Sequence, residues 1–141
     1  MRLTIKKKDL DIGEVFRYLG TETNLLNDGT YRTAPDIIKL IIDNKVTTFV
    51  EIGTDESRVS EILSNIFHDV SIICVNPDQE NEDDQFKNLN IISETSQNAV
   101  DGFTDSTLDM VYIDDHDTYE SVYKDLELWT SKVRQGGIIA G

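Results

Sequence analysis

Cysteine is nearly absent from this chain. Cys74 is the only one among 141 residues, so no internal disulfide can form, and its place in an apolar run makes it a small core residue. No window of the sequence reaches the eighteen or so apolar residues that a membrane span needs, so no membrane is expected. The basic start, Met1 to Lys8, lacks the apolar core of a secretory signal, and a cytoplasmic location is the expectation. Positive charge is also scarce. Thirteen Lys and Arg face 27 Asp and Glu, for a net charge of −14. Such a field opposes phosphate backbones and anionic lipid, so nucleic acid is not an expected partner.

What the chain does have is alternation. With 38% hydrophobic and 28% charged residues, it suffices for one soluble domain with its own core. Strand-like and helix-like patterns take turns, which is the mark of an α/β fold on a mostly parallel sheet. Ile12, Val15, Phe16 and Leu19 recur at helical spacing behind a capping pattern of Asp11 and Glu14, and a loop from Thr21 to Tyr31 follows. A helix is predicted from Thr33 to about Asn44, with Pro35 in its first turn.

Thr47 to Ile52 reads as the first central strand, and Val59, Ile62, Leu63, Ile66 and Phe67 form one stripe of the next helix. Val70 to Val75 reads as a second strand, stopped by Pro77, and Gln79 to Asp84 as a surface loop. Asn90 to Ser93 is a weaker strand, and a short helix covers Ser96 to Phe103. Asp109 to Ile113 is another strand. After it comes a helix with Tyr119, Val122, Tyr123, Leu126, Trp129 and Val133 on one face, ended by Gly136-Gly137 before a last strand at Ile138. No repeat or linker interrupts this order. A single domain, 1–141, is expected, with N-terminal helices in 1–46 and the sheet core in 47–141.

Three strand ends collect polar residues, and in a parallel sheet all three open on one edge. Glu51-Ile52-Gly53-Thr54 turns from strand to helix. Its glycine permits close approach of a ligand, and the same turn also reads as a plain connection capped by Asp55 or Ser57. Asn76-Pro77-Asp78 offers either a side chain for a ribose or a proline-terminated turn. Asp114-Asp115-His116-Asp117 could bind a divalent cation or supply a general base; alternatively, Asp117 and Glu120 cap the next helix and His116 is a loop residue.

Four stretches together resemble the class I S-adenosylmethionine-dependent methyltransferases, in particular the small-molecule O-methyltransferase-like branch. They are Phe49-Val50-Glu51-Ile52-Gly53-Thr54, Val111-Tyr112-Ile113-Asp114, Tyr119 to Trp129, and Gly136-Gly137-Ile138-Ile139-Ala140-Gly141. The resemblance runs from about Pro35 to the end. It implies a Rossmann-like three-layer α/β/α sandwich with strand order 3-2-1-4-5, short of the family's last two strands.

It further implies S-adenosylmethionine as cofactor, a small hydroxylated acceptor, and a divalent cation such as Mg beside Asp114. By position, Glu51, Gly53, Thr54 and Ser57 would lie on the methionine side, Asn76 at the ribose, and Thr95 and Ser96 at the adenine. Asp114 and His116 would be catalytic, with Asp114 also beside the sulfonium. The chain departs from the family pattern at Ser57, where a second glycine is usual, and at Asn76, where an acid is usual. Glu94 and Thr95 replace glycine and aspartate, and His116 and Asp117 look exchanged. These departures leave three expectations open: a methyltransferase, a non-catalytic nucleoside-binding or assembly module of the same fold, and part of a longer enzyme. The last strand, as a sheet edge, makes a homodimer through it a further expectation.

Overall fold

The computed structural model describes residues 30–53, 58–80, 86–114 and 118–141. The expected helix at Ile12 to Leu19, its Asp11–Glu14 cap and most of the loop to Tyr31 lie outside the described residues. The described elements are α1 (Thr30–Asp43), β1 (Thr48–Ile52), α2 (Arg58–Ile66), β2 (Ser71–Val75), β3 (Leu89–Ile92), α3 (Ser96–Ala99), β4 (Leu108–Ile113), α4 (Tyr119–Thr130) and β5 (Val133–Ala140), with a 3-10 turn Val100–Gly102 after α3.

The five strands form one sheet of order β3-β2-β1-β4-β5, parallel throughout. Side chains alternate across it. Phe49, Ile72 and Met110 face α1 and α2 in one core cluster, while Val50, Val75 and Val111 join Ala99, Val100 and Trp129 in the other. Helices therefore cover both faces, as the resemblance implies. The central strands β1 and β4 are buried almost end to end, which is why they read as apolar runs interrupted only by Glu51 in β1 and Asp109 in β4, after Thr48 at the start of β1. Cys74 lies buried in β2, as expected.

Three details differ from the sequence reading. Helix α1 begins at Thr30, which moves Pro35 from its first turn to its second. Burial of Ala34, Ile37, Ile38 and Ile41 against the sheet outweighs the hydrogen bond that proline cannot make there. The cap of α4 is Thr118 rather than Asp117: Thr118 Oγ1 accepts from Ser121 N at 3.1 Å, and Ser121 Oγ accepts from Thr118 N at 3.2 Å.

The third difference is the largest. Helix α4 stops at Thr130, Val133 already starts β5, and Gly136-Gly137 lie inside that strand. The pairing shifts from Leu108↔Val133 to Met110↔Ile138, so the glycines form a bulge. Gly136 takes φ +76°, and a Cβ on Gly137 would stand 2.9 Å from both Asp109 O and Arg134 O. The expected stripe of α4 changes accordingly. Asp125 and Trp129 are buried, whereas Tyr119, Tyr123 and Leu126 face solvent, with the two tyrosine rings stacked at 6.3 Å.

Candidate functional site

The order of the strands reverses between β1 and β4, and in parallel α/β sheets the carboxyl ends at such a point are where ligands bind. The residues just past each strand continue its hydrogen-bond ladder. Asp114 N donates to Ile52 O at 2.9 Å, Gly53 N to Val75 O at 3.0 Å, and Asn76 N to Ile92 O at 3.0 Å. This ladder sets Asp114, Gly53 and Asn76 side by side along one edge. Gly53 holds φ +71°, a conformation that a residue with a Cβ adopts only at a cost.

Glu51 is the most unusual group at this edge. Its carboxylate is fully buried, and its Oε2 accepts from both Ser60 N, at 3.2 Å, and Ser60 Oγ, near the start of α2. Its Oε1 has no hydrogen-bond partner among the described residues. Burial pushes its pKa up to about 7; the Ser60 hydroxyl and amide work against that rise, and the charges of Asp114 and Glu61 add to it. A buried carboxylate with one satisfied and one unsatisfied oxygen is suited to a donor arriving from outside the protein.

Asn76 is also buried, and its Oδ1 accepts from Asp78 N at 3.0 Å, closing the turn after β2. Thr95 is exposed and caps α3, its side chain accepting from Asn98 N at 3.3 Å. Ser96 is half-buried, and its hydroxyl donates to the buried Asp125 Oδ1 on α4. Asp114 is half-buried at the end of β4. Glu51, Gly53, Asn76 and Asp114 are thus brought to one edge, and Thr95 and Ser96 follow β3 at the same end of the sheet. Thr54, Ser57 and His116 lie outside the described residues. No group of three or more His, Cys, Asp or Glu is arranged to hold a metal ion among the described residues, so the cation expected beside Asp114 gains no support there.

Two partners were missed in the sequence, Ser60 and Asp125. Both carried a signal. Ser60 sits beside Val59 on the buried side of α2, and Asp125 lies four residues before Trp129 on the same face of α4. A separate polar cavity of about 160 Å³, lined by Ser64, Asn65, His68, Phe86, Lys87 and Asn88, lies at the opposite, amino edge of the sheet and contains none of the expected site residues. No described helix is long and apolar enough to cross a membrane.

A family model described as a methyltransferase domain matches residues 50–141. No curated protein matches the chain. Among solved structures it is similar to a candidate caffeoyl-CoA O-methyltransferase from Staphylococcus aureus, with a TM-score of 0.63 and 18% identity over 94% of this chain. The match spans 66% of that structure's chain, just under two thirds of its length. It is also similar to a Corynebacterium glutamicum protein from a structural genomics programme, with a TM-score of 0.54 and 12% identity over 92% of this chain and 73% of the other. At such identities these two likenesses are of fold.

Proposed function

The chain belongs to the methyltransferase-domain family matched over residues 50–141, and from that premise we propose that it binds S-adenosylmethionine along the carboxyl edge of β1, β2 and β4 and methylates a small hydroxylated acceptor. The observation that carries this reading is the buried Oε1 of Glu51, which has no hydrogen-bond partner among the described residues, two positions before the positive-φ Gly53. A ligand ammonium donating there would satisfy the oxygen and neutralise a charge held at a cost by burial. Gly53 lets the ligand lie close to the backbone, and Thr54 and Ser57 are assigned to the same methionine side of the cofactor. Asn76 is assigned to the ribose, and Thr95 and Ser96 to the base.

When bound, the cofactor supplies an electrophilic methyl group on a positive sulfur. The protein's task is then to align donor and acceptor and to take the acceptor's proton. Asp114 is assigned that proton, with His116 as the neighbouring base. Calorimetry with S-adenosylmethionine, whose positive sulfur would lie beside Asp114, tests the reading. The native protein is expected to bind one equivalent, and Asp114→Ala, folded by its thermal midpoint, to weaken binding about tenfold, as loss of a charged contact does. No heat from the native protein at millimolar ligand would overturn the reading.

One observation favours a second reading, a nucleoside-binding or assembly module that no longer turns over. Asn76 spends its carbonyl on Asp78 N within its own turn and carries no charge for the ribose hydroxyls. That reading predicts heat on binding, without transfer of labelled methyl to any hydroxylated acceptor supplied.

A further inference from the structure

Helix α3 is only four residues long, too short to hold itself, and α4 holds it at two points. Past its end, just after the 3-10 turn Val100–Gly102, Phe103 packs edge-on against Trp129 with ring centroids 4.9 Å apart. At its start, the Ser96 hydroxyl donates to Asp125 Oδ1. Asp125 is 3% exposed, so its carboxylate is buried and is held there by hydrogen bonds. Nothing in the family resemblance assigns it a role.

The bond has a chemical consequence. A serine hydroxyl has one hydrogen to donate and two lone pairs to accept with. With the hydrogen committed to the carboxylate, Ser96 Oγ has only its lone pairs to offer a ligand, as an acceptor. Resting on the proposed placement of the base at Thr95 and Ser96, we propose that Asp125 is a positioning residue that sets base specificity: by fixing Ser96 as an acceptor it selects a purine carrying an exocyclic amino group over one carrying a carbonyl. A carbonyl there would set two acceptors against each other, while an amino group completes the hydrogen bond. The hydroxyl of Ser96 carries this selection, and the end of α3 plays no part in it.

The test compares S-adenosylhomocysteine with S-inosylhomocysteine, which differs from it by a carbonyl in place of the amino group. The native protein is expected to bind the adenosyl ligand at least about tenfold more tightly, as a site built on one hydrogen bond discriminates. Asp125→Asn offers Ser96 a side-chain amide, which can donate to the Ser96 oxygen and release its hydrogen toward the ligand. The preference is then expected to fall toward parity. A merely structural role would weaken both ligands alike and leave their ratio unchanged, and that result overturns the proposal.

Trp129, the only tryptophan, reports through its fluorescence whether the α3–α4 contact persists. Should Asp125→Asn not fold, Ser96→Ala removes the hydroxyl itself and is expected to lower the ratio in the same way; a preserved ratio there also overturns the proposal. Failure of the native protein to bind either ligand would instead strike the proposed function on which this inference rests. Binding without discrimination strikes the inference alone.

Discussion

Glutamine in place of Glu51 is expected to make the unliganded protein more stable at pH 8, by about 2–3 kcal/mol, while weakening the binding of S-adenosylhomocysteine. The sign follows from burial. The Glu51 pKa rises from 4.5 to about 7 in the folded chain, so between those values the folded state binds a proton that the unfolded state has lost. Stability therefore falls as pH rises through that window, and above about 7 the full cost of the buried charge is present. Glutamine carries no charge and removes the cost, although its own amide hydrogens then lack a partner, which offsets part of the gain.

Urea unfolding at pH 4.5 and pH 8 measures the effect. The variant and native midpoints should nearly coincide at the lower pH and diverge at the higher. Binding should move the other way, weaker by about tenfold to a hundredfold as a charge-assisted bond is lost. A variant less stable than the native protein at pH 8 contradicts this account of Glu51. Opposite effects on stability and binding are what a residue kept for function shows.

Alanine in place of Asp109 is expected to destabilise the protein by about 3 kcal/mol at pH 7. Asp109 lies at the other end of the sheet and ties three strands together. Its Oδ2 accepts from Thr47 N at 2.7 Å, Thr47 Oγ1 at 2.8 Å and Thr48 N at 3.1 Å, and its Oδ1 from Arg134 Nε on β5 at 2.6 Å. Burial works against its charge, but the hydrogen bonds from Arg134, Thr47 and Thr48 outweigh it and hold the carboxyl well below the ordinary range. Here the sign is reversed from Glu51. The contribution is complete above the ordinary value of 3.8 and is lost as pH falls through the lower folded value.

Arg134 is 40% exposed, so water takes over part of its share, and most of the loss comes from the stranded donors of Thr47 and Thr48. Denaturant unfolding of Asp109→Ala at pH 7 checks this, and an unchanged midpoint contradicts it. Binding of S-adenosylhomocysteine to the folded variant should be unaffected, because the latch and the proposed site lie at opposite edges of the sheet.

These two acids show what was legible in the sequence and what was not. Glu51 could be found because an apolar run ends on it and a glycine follows, and both facts lie within three residues. Its partner Ser60 was not found: its place beside Val59 marked it as inward-facing, but a position on a helix face does not name the group that a hydroxyl will bond. Asp109 was read only as the start of a strand. Its partner Arg134 fell in a stretch assigned to the end of a helix, since Gly136-Gly137 reads equally well as a terminator and as a bulge. The same ambiguity misplaced the face of α4, where Tyr119 and Tyr123 satisfied a helical apolar stripe yet stack on each other in solvent. The central strands posed no such difficulty. Buried on both faces, they are apolar at every position that the core requires.

The measurement that bears most directly on the central claim is an amide NMR titration of the native protein with S-adenosylhomocysteine. The account predicts saturable shifts at Gly53, Asn76, Ser96 and Asp114, with Thr47, Asp109 and the residues of the Ser64–Asn88 cavity unmoved. Shifts confined to that opposite edge, or none at millimolar ligand, would contradict it.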